Sequence, residues 1–119
     1  MQDEINFDEK FKALGDYYNI ISPVEVRKQI ENNENIFIFL DEIKPFLVES
    51  FFDADFYLKM NYEPETDDRF IILRVDVSEE RFKNGIGDEI RAFNFKIWPL
   101  EKKLNVLREV LVMPEIKHV

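Results

Sequence analysis

Apolar residues recur along this chain at two different spacings, and the alternation between them predicts its elements. Phe7, Phe11, Leu14 and Tyr18 recur at helical intervals, which predicts a first helix from about Phe7 to Tyr18. Asn6 is placed to cap it, Glu9 falls at its third position, and Gly15 weakens its last turn. Ser22-Pro23-Val24-Glu25 has the signature of a helix start, with a proline at the first helical position and a glutamate completing a capping box. That helix is expected to run to about Ile30, with Asn32 and Asn33 favouring a stop.

The stretch from Asn35 to Phe52 fits two readings. Ile36 to Leu40 is an unbroken apolar run suited to a buried strand. Ile36, Phe39, Leu40, Ile43, Phe46 and Leu47 form a helical stripe, with Phe37, Val48 and Phe52 on a second side. The longer periodicity favours a helix, kinked near Pro45 where one backbone donor is missing. From Asp55 to Glu63 the period changes to two. Phe56, Leu58, Met60 and Tyr62 share one face of a strand. Pro64 to Asp68 is a turn by composition, and Phe70 to Val77 is a second strand pairing with the first as a hairpin.

Ser78 caps a further helix in which Phe82, Ile86, Ile90, Phe93 and Ile97 keep register through Gly85 and Gly87. The glycines are expected to bend or split it, with Asp88 starting the second piece and Trp98-Pro99 ending it. Leu104 to Val112 suits either a helix or a strand. A third strand is preferred, because two strands alone make a poor sheet, and Pro114 is expected to close it. The resulting order is N-terminal helices followed by β-β-α-β. It predicts an α+β fold with a small antiparallel sheet and helices packed on one face. The length of 119 residues fits a single α+β domain over 1–119, with 1–33 an N-terminal helical segment and 34–119 the core.

Composition removes more functions than motifs add. There is no cysteine, which excludes disulfides, thiol catalysis and cysteine-ligated metal. The one histidine, His118, stands next to the C-terminus, a poor position for the base of a triad. Gly85-Ile86-Gly87 lacks the third glycine of a dinucleotide-binding fingerprint, and no glycine-rich phosphate loop occurs. No cofactor is expected. Sixteen basic residues against 25 acidic ones give a net charge of −9, so binding to nucleic acid is not expected. The acidic start Met1-Gln2-Asp3-Glu4 and the short apolar runs predict neither a secretory signal nor a membrane span, and the expected compartment is the cytoplasm.

Two functional readings survive. In the first, the chain is a non-enzymatic acidic protein acting through protein–protein contact or self-association. Its 12 Phe, 4 Tyr and 1 Trp exceed what so small a core is expected to hide. Phe37, Phe51, Phe52, Phe93, Phe95 and Trp98 are the candidates for surface contact, and a twofold homodimer is the commonest outcome of such a surface. An inhibitor-like subunit whose acidic exterior blocks a basic partner is one concrete form. In the second reading, Asp53, Asp55 and Asp76 converge at a strand mouth, hold Mg²⁺ and serve nucleotidyl or phosphoryl transfer. That set resembles the carboxylates of the minimal nucleotidyltransferases, but the Gly-Ser phosphate contact those enzymes carry upstream is absent here. The acidic run Glu63 to Asp68 lacks the spacing of a calcium loop and reads as a solvated hairpin tip.

Overall fold

The computed structural model describes residues 2–117, with side chains from Asn6 onward; His118 lies outside the described residues. The chain runs α1 (Gln2–Tyr17), β1 (Asn19–Ile20), α2 (Pro23–Asn32), α3 (Asn35–Glu42), α4 (Lys44–Ser50), β2 (Asp55–Glu63), β3 (Asp68–Val77), α5 (Glu79–Lys83), α6 (Ile86–Leu104) and β4 (Val110–Ile116). The fold is α+β, as the periodicity predicts. The sheet has four strands in the order β1-β2-β3-β4.

That sheet is mixed rather than antiparallel. β2 and β3 form the expected antiparallel hairpin, but β1 pairs parallel with β2 and β4 parallel with β3. The reason is connectivity. Helices intervene between β1 and β2 and again between β3 and β4, and a crossover returns the chain to the same end of the sheet, so those pairs run parallel. The two-residue β1 is too short to leave a period-two signal in the sequence.

The helix ends follow local chemistry. Ser78 caps α5 as expected, its Oγ accepting the Arg81 N–H at 3.2 Å. Ser22 occupies the cap position of α2 but makes no side-chain bond there, so the expected capping box does not form. The 35–50 stretch is helical and breaks at Ile43 into α3 and α4, with Pro45 in the first turn of α4 where its missing N–H costs nothing, and Phe51 and Phe52 lie beyond the end of α4. Gly85 adopts φ 86°, a left-handed conformation that suits glycine, and separates α5 from α6.

α6 differs most from expectation. It runs through Pro99 to Leu104 and stops at Asn105, which takes the left-handed conformation at φ 56°. Proline removes one helical hydrogen bond, but Leu100 and Leu104 pack against the core beyond it, and that burial holds the last turns in place. The strand expected from Leu104 therefore begins only at Val110. Pro114 sits inside β4, opposite Val75, instead of closing it. β4 is an edge strand, where a missing donor is tolerated.

One core joins all the helices to one face of the sheet. Val26, Ile30, Ile36, Phe39, Leu40, Leu47, Phe51, Phe93 and Ile97 meet Leu58, Ile71, Leu73, Val75, Val77 and Val112 in a single cluster. Tyr18 is buried in it, its hydroxyl donating to the Leu40 carbonyl at 2.6 Å. Burial holds the Tyr18 phenol well above its ordinary range, with smaller contributions from Tyr17 and Asp41. The folded state therefore keeps a proton that the unfolded chain releases near pH 10, so this contribution to stability is complete below about pH 10 and is lost as the pH rises beyond it. Tyr18→Phe is expected to cost about 1–3 kcal/mol at neutral pH, by leaving the Leu40 carbonyl unpaired. It is also expected to flatten the alkaline fall in stability, which urea unfolding at pH 8 and above pH 10 would measure.

Candidate interaction surfaces

The three carboxylates proposed for a metal are placed apart in function, though two are neighbours. Asp55 and Asp76 lie directly opposite each other in the β2–β3 register. Each acidic group, however, is held by its own cation. Arg74 grips Asp76 with two bonds, Nε to Oδ1 at 2.7 Å and Nη2 to Oδ2 at 3.1 Å. Arg81 pairs with Asp53, and also reaches Glu89 Oε1 at 3.0 Å and the Ser50 carbonyl at 2.7 Å. Lys117 Nζ stands 3.7 Å from Asp55 Oδ2 and donates to the Asp53 carbonyl oxygen at 2.7 Å. Among the described residues, no three His, Asp or Glu side chains stand close enough to hold one metal ion. Asp76 is also not the solvent-facing residue that simple alternation implies. It is 4% exposed, covered by its own arginine.

The six aromatic candidates divide evenly. Phe37, Phe51 and Phe93 are core residues, Phe51 and Phe93 packing ring to ring at 5.4 Å. They are unavailable for contact: Phe37 packs edge-on against Phe7 of α1, while Val48 and Phe52, expected on the same side, stay exposed. Phe52, Phe95 and Trp98 are 80%, 81% and 50% exposed. Phe95 and Trp98 are three residues apart on α6 and so share a face. Lys102 lies one turn further, its Nζ 4.3 Å from the Trp98 ring centre. The sequence reading, which ends the helix at Pro99, does not bring that lysine to the tryptophan.

A second surface escaped the sequence reading altogether. The helices cover only one face of the sheet. The other face carries Tyr57, Lys59 and Asn61 from β2, Phe70, Ile72 and Arg74 from β3, and Leu111 and Met113 from β4. In register, Tyr57, Arg74 and Met113 form one row and Lys59, Ile72 and Leu111 the next. Arg74 lies over the Tyr57 ring at 4.4 Å. Ile72 is buried yet stands outside the main core cluster, shielded by neighbours on its own face. Leu111 and Met113 are 46% and 43% exposed. Asp55, Asp76 and Glu115 form an acidic row at one end of this face. A signal for it does exist in the sequence. Phe70-Ile71-Ile72-Leu73 is apolar at consecutive positions, the pattern of a strand covered on both faces, while the fold supplies a cover for only one.

The remaining concavities are open. A groove of about 590 Å³ between α2 and the β2–β3 hairpin is lined by Glu25, Lys28, Gln29, Tyr62 and Arg69. A smaller one of about 290 Å³ lies between α1 and α3 and includes Lys10, Leu14, Phe37 and Ile38. No buried titratable side chain lines either, so neither has the convergent polar groups that orient a reacting molecule. Among the described residues, no helix is long and apolar enough to cross a membrane.

No protein-family model, no curated protein and no solved structure matches this chain.

Proposed function

We propose that this chain is a non-enzymatic binding module that docks a protein, a different chain or a second copy of itself, through the open face of its sheet. The observation that carries the reading is β3. Its Phe70 and Ile72 point away from the helices, and with Leu111 and Met113 beside them they leave an apolar strip that no helix covers. Sheets that are apolar on both faces are normally covered on both, and a partner would supply the missing layer.

The charge distribution supports a cationic partner. Asp55 and Asp76, which border the apolar strip, are already paired with Lys117 and Arg74, so the support comes from the −9 that the chain as a whole carries. Such a field speeds encounter with a basic protein and disfavours nucleic acid. The cytoplasm is the compartment this reading assumes.

Leu111→Asp with Met113→Asp is the test, because it places two charges on the strip at half-exposed positions that the fold tolerates. The wild-type chain is expected to sediment as a species heavier than its 14.4 kDa, alone or with a partner identified by mass spectrometry after tagged capture. The double variant, with unchanged circular dichroism, is expected to be monomeric and to lose that partner. A wild type that stays monomeric at high concentration, with the same captured proteins as the variant, would overturn the reading.

A further inference from the structure

Beyond its first turn, which carries Asp88 and Glu89, α6 stands apart electrically from the rest of the molecule. From Ile90 to Leu104 there are four cations, Arg91, Lys96, Lys102 and Lys103, against one carboxylate, Glu101. That is a local surplus of three positive charges in a chain of net −9, so the remaining residues carry −12. Arg91, Phe95, Trp98 and Lys102 follow one another at helical intervals and are all exposed, with Asp88 one turn before Arg91 and its Oδ1 3.4 Å from Arg91 Nη1, an exposed pair worth little in water. They make a strip of cation, two aromatics and cation, about 16 Å long at 1.5 Å per residue. Pro99 is exposed on the same side. It has no N–H, so the Phe95 carbonyl four residues back receives no helical donor from it.

We infer that this strip is a second docking surface, and that it receives a short acidic protein segment carrying apolar side chains. Its acidic groups would pair with Lys102 and, in exchange for Asp88, with Arg91, and its apolar groups would cover Phe95 and Trp98. The charge pattern selects the occupant. At physiological ionic strength charges act over about 8 Å, so a short anionic segment feels mainly the cations of α6, with Asp88 the carboxylate it meets at the Arg91 end. An extended polyanion, whether a membrane surface or a nucleic acid, also meets the −12 carried by the rest of the molecule and is repelled. A cationic segment is favoured by the remaining surface and disfavoured here. The inference assumes that the chain is a binding module, but it concerns a different face, and it is tested with different residues.

Trp98 is the one tryptophan, so its fluorescence reports on this strip alone. The full chain is titrated at physiological ionic strength with a peptide-length copolymer of glutamate and leucine, short enough to sit on the strip alone. A saturable shift of the Trp98 emission to shorter wavelength is expected, and it is expected to vanish in about 1 M salt, where charges act over only about 3 Å. Arg91→Glu with Lys102→Glu is expected to weaken the apparent affinity at least about tenfold, the equivalent of 1.4 kcal/mol. Phe95→Ser is expected to weaken it at physiological ionic strength without changing the charge of the strip. Leu111→Asp with Met113→Asp is expected to leave it unchanged, which separates this surface from the sheet face. The inference is overturned by no saturable response, by an equal response to a lysine–leucine copolymer, or by a charge-reversed variant that still binds. A tighter response to phosphatidylserine vesicles than to the copolymer would assign the strip to membranes and overturn it as well.

Discussion

Phe93→Ala is expected to cost about 3–5 kcal/mol of folding free energy, while Phe95→Ala, two residues along the same helix, is expected to cost under about 0.5 kcal/mol. Phe93 is 1% exposed and packs against Phe51 in the centre of the core, whereas Phe95 is 81% exposed and faces outward. Truncation at Phe93 removes buried apolar area and leaves a cavity that α6 and α4 are too firmly anchored to close. Truncation at Phe95 removes area that water already reaches. For a domain of this size the whole stability is about 5–15 kcal/mol, so the first variant is expected to unfold at a much lower urea concentration and the second at nearly that of the wild type. Equal shifts in the two midpoints would mean that α6 is rotated about its axis relative to this structure, and the strip of Arg91, Phe95, Trp98 and Lys102 would not then exist as a surface.

Arg74→Ala is the second large effect. Asp76 is almost wholly buried, and its two bonds to Arg74 are what offset the cost of taking its charge out of water. Asp55 and Glu115 flank it in register on either side, so without the arginine three carboxylates face one another across β2, β3 and β4. A loss of about 3–5 kcal/mol is expected, the range for removing one partner of a buried pair. Arg74→Met combined with Asp76→Leu is expected to recover most of it, because the charge is then gone and the face stays filled. If the double variant is no more stable than Arg74→Ala, the pair is not what limits stability at this end of the sheet. The same substitutions bear on the carboxylate reading. Asp53, Asp55 and Asp76 each serve as the counter-charge of a basic side chain, and that is a structural task.

Much of the fold was legible because it rests on local rules. The hairpin of β2 and β3 follows from the alternation in β2, the apolar run of β3 and a turn rich in Pro, Thr and Asp. The break at Gly85 follows from a conformation that suits glycine. The break at Ile43 follows from Pro45, which favours a helix start two residues on. The elements read wrongly are those decided by distant contacts. α6 outruns Pro99 because Leu100 and Leu104 find apolar neighbours in the core, and no local rule contains that gain. Of the aromatic candidates, periodicity marks Phe93 as inward, yet the choice between Phe37 and Phe52 depended on which helix came to lie alongside.

By itself, then, the sequence determined the α+β class, most helix and strand positions and the acidic exterior, because spacing, capping and charge are properties of neighbours along the chain. Tertiary structure alone decided that the outer strands run parallel, that one face of the sheet has no helix over it, and that Lys102 comes to rest on Trp98. Those outcomes depend on which residues meet across long loops and crossovers, and the free energy of such meetings lies in area buried between segments that are far apart in sequence.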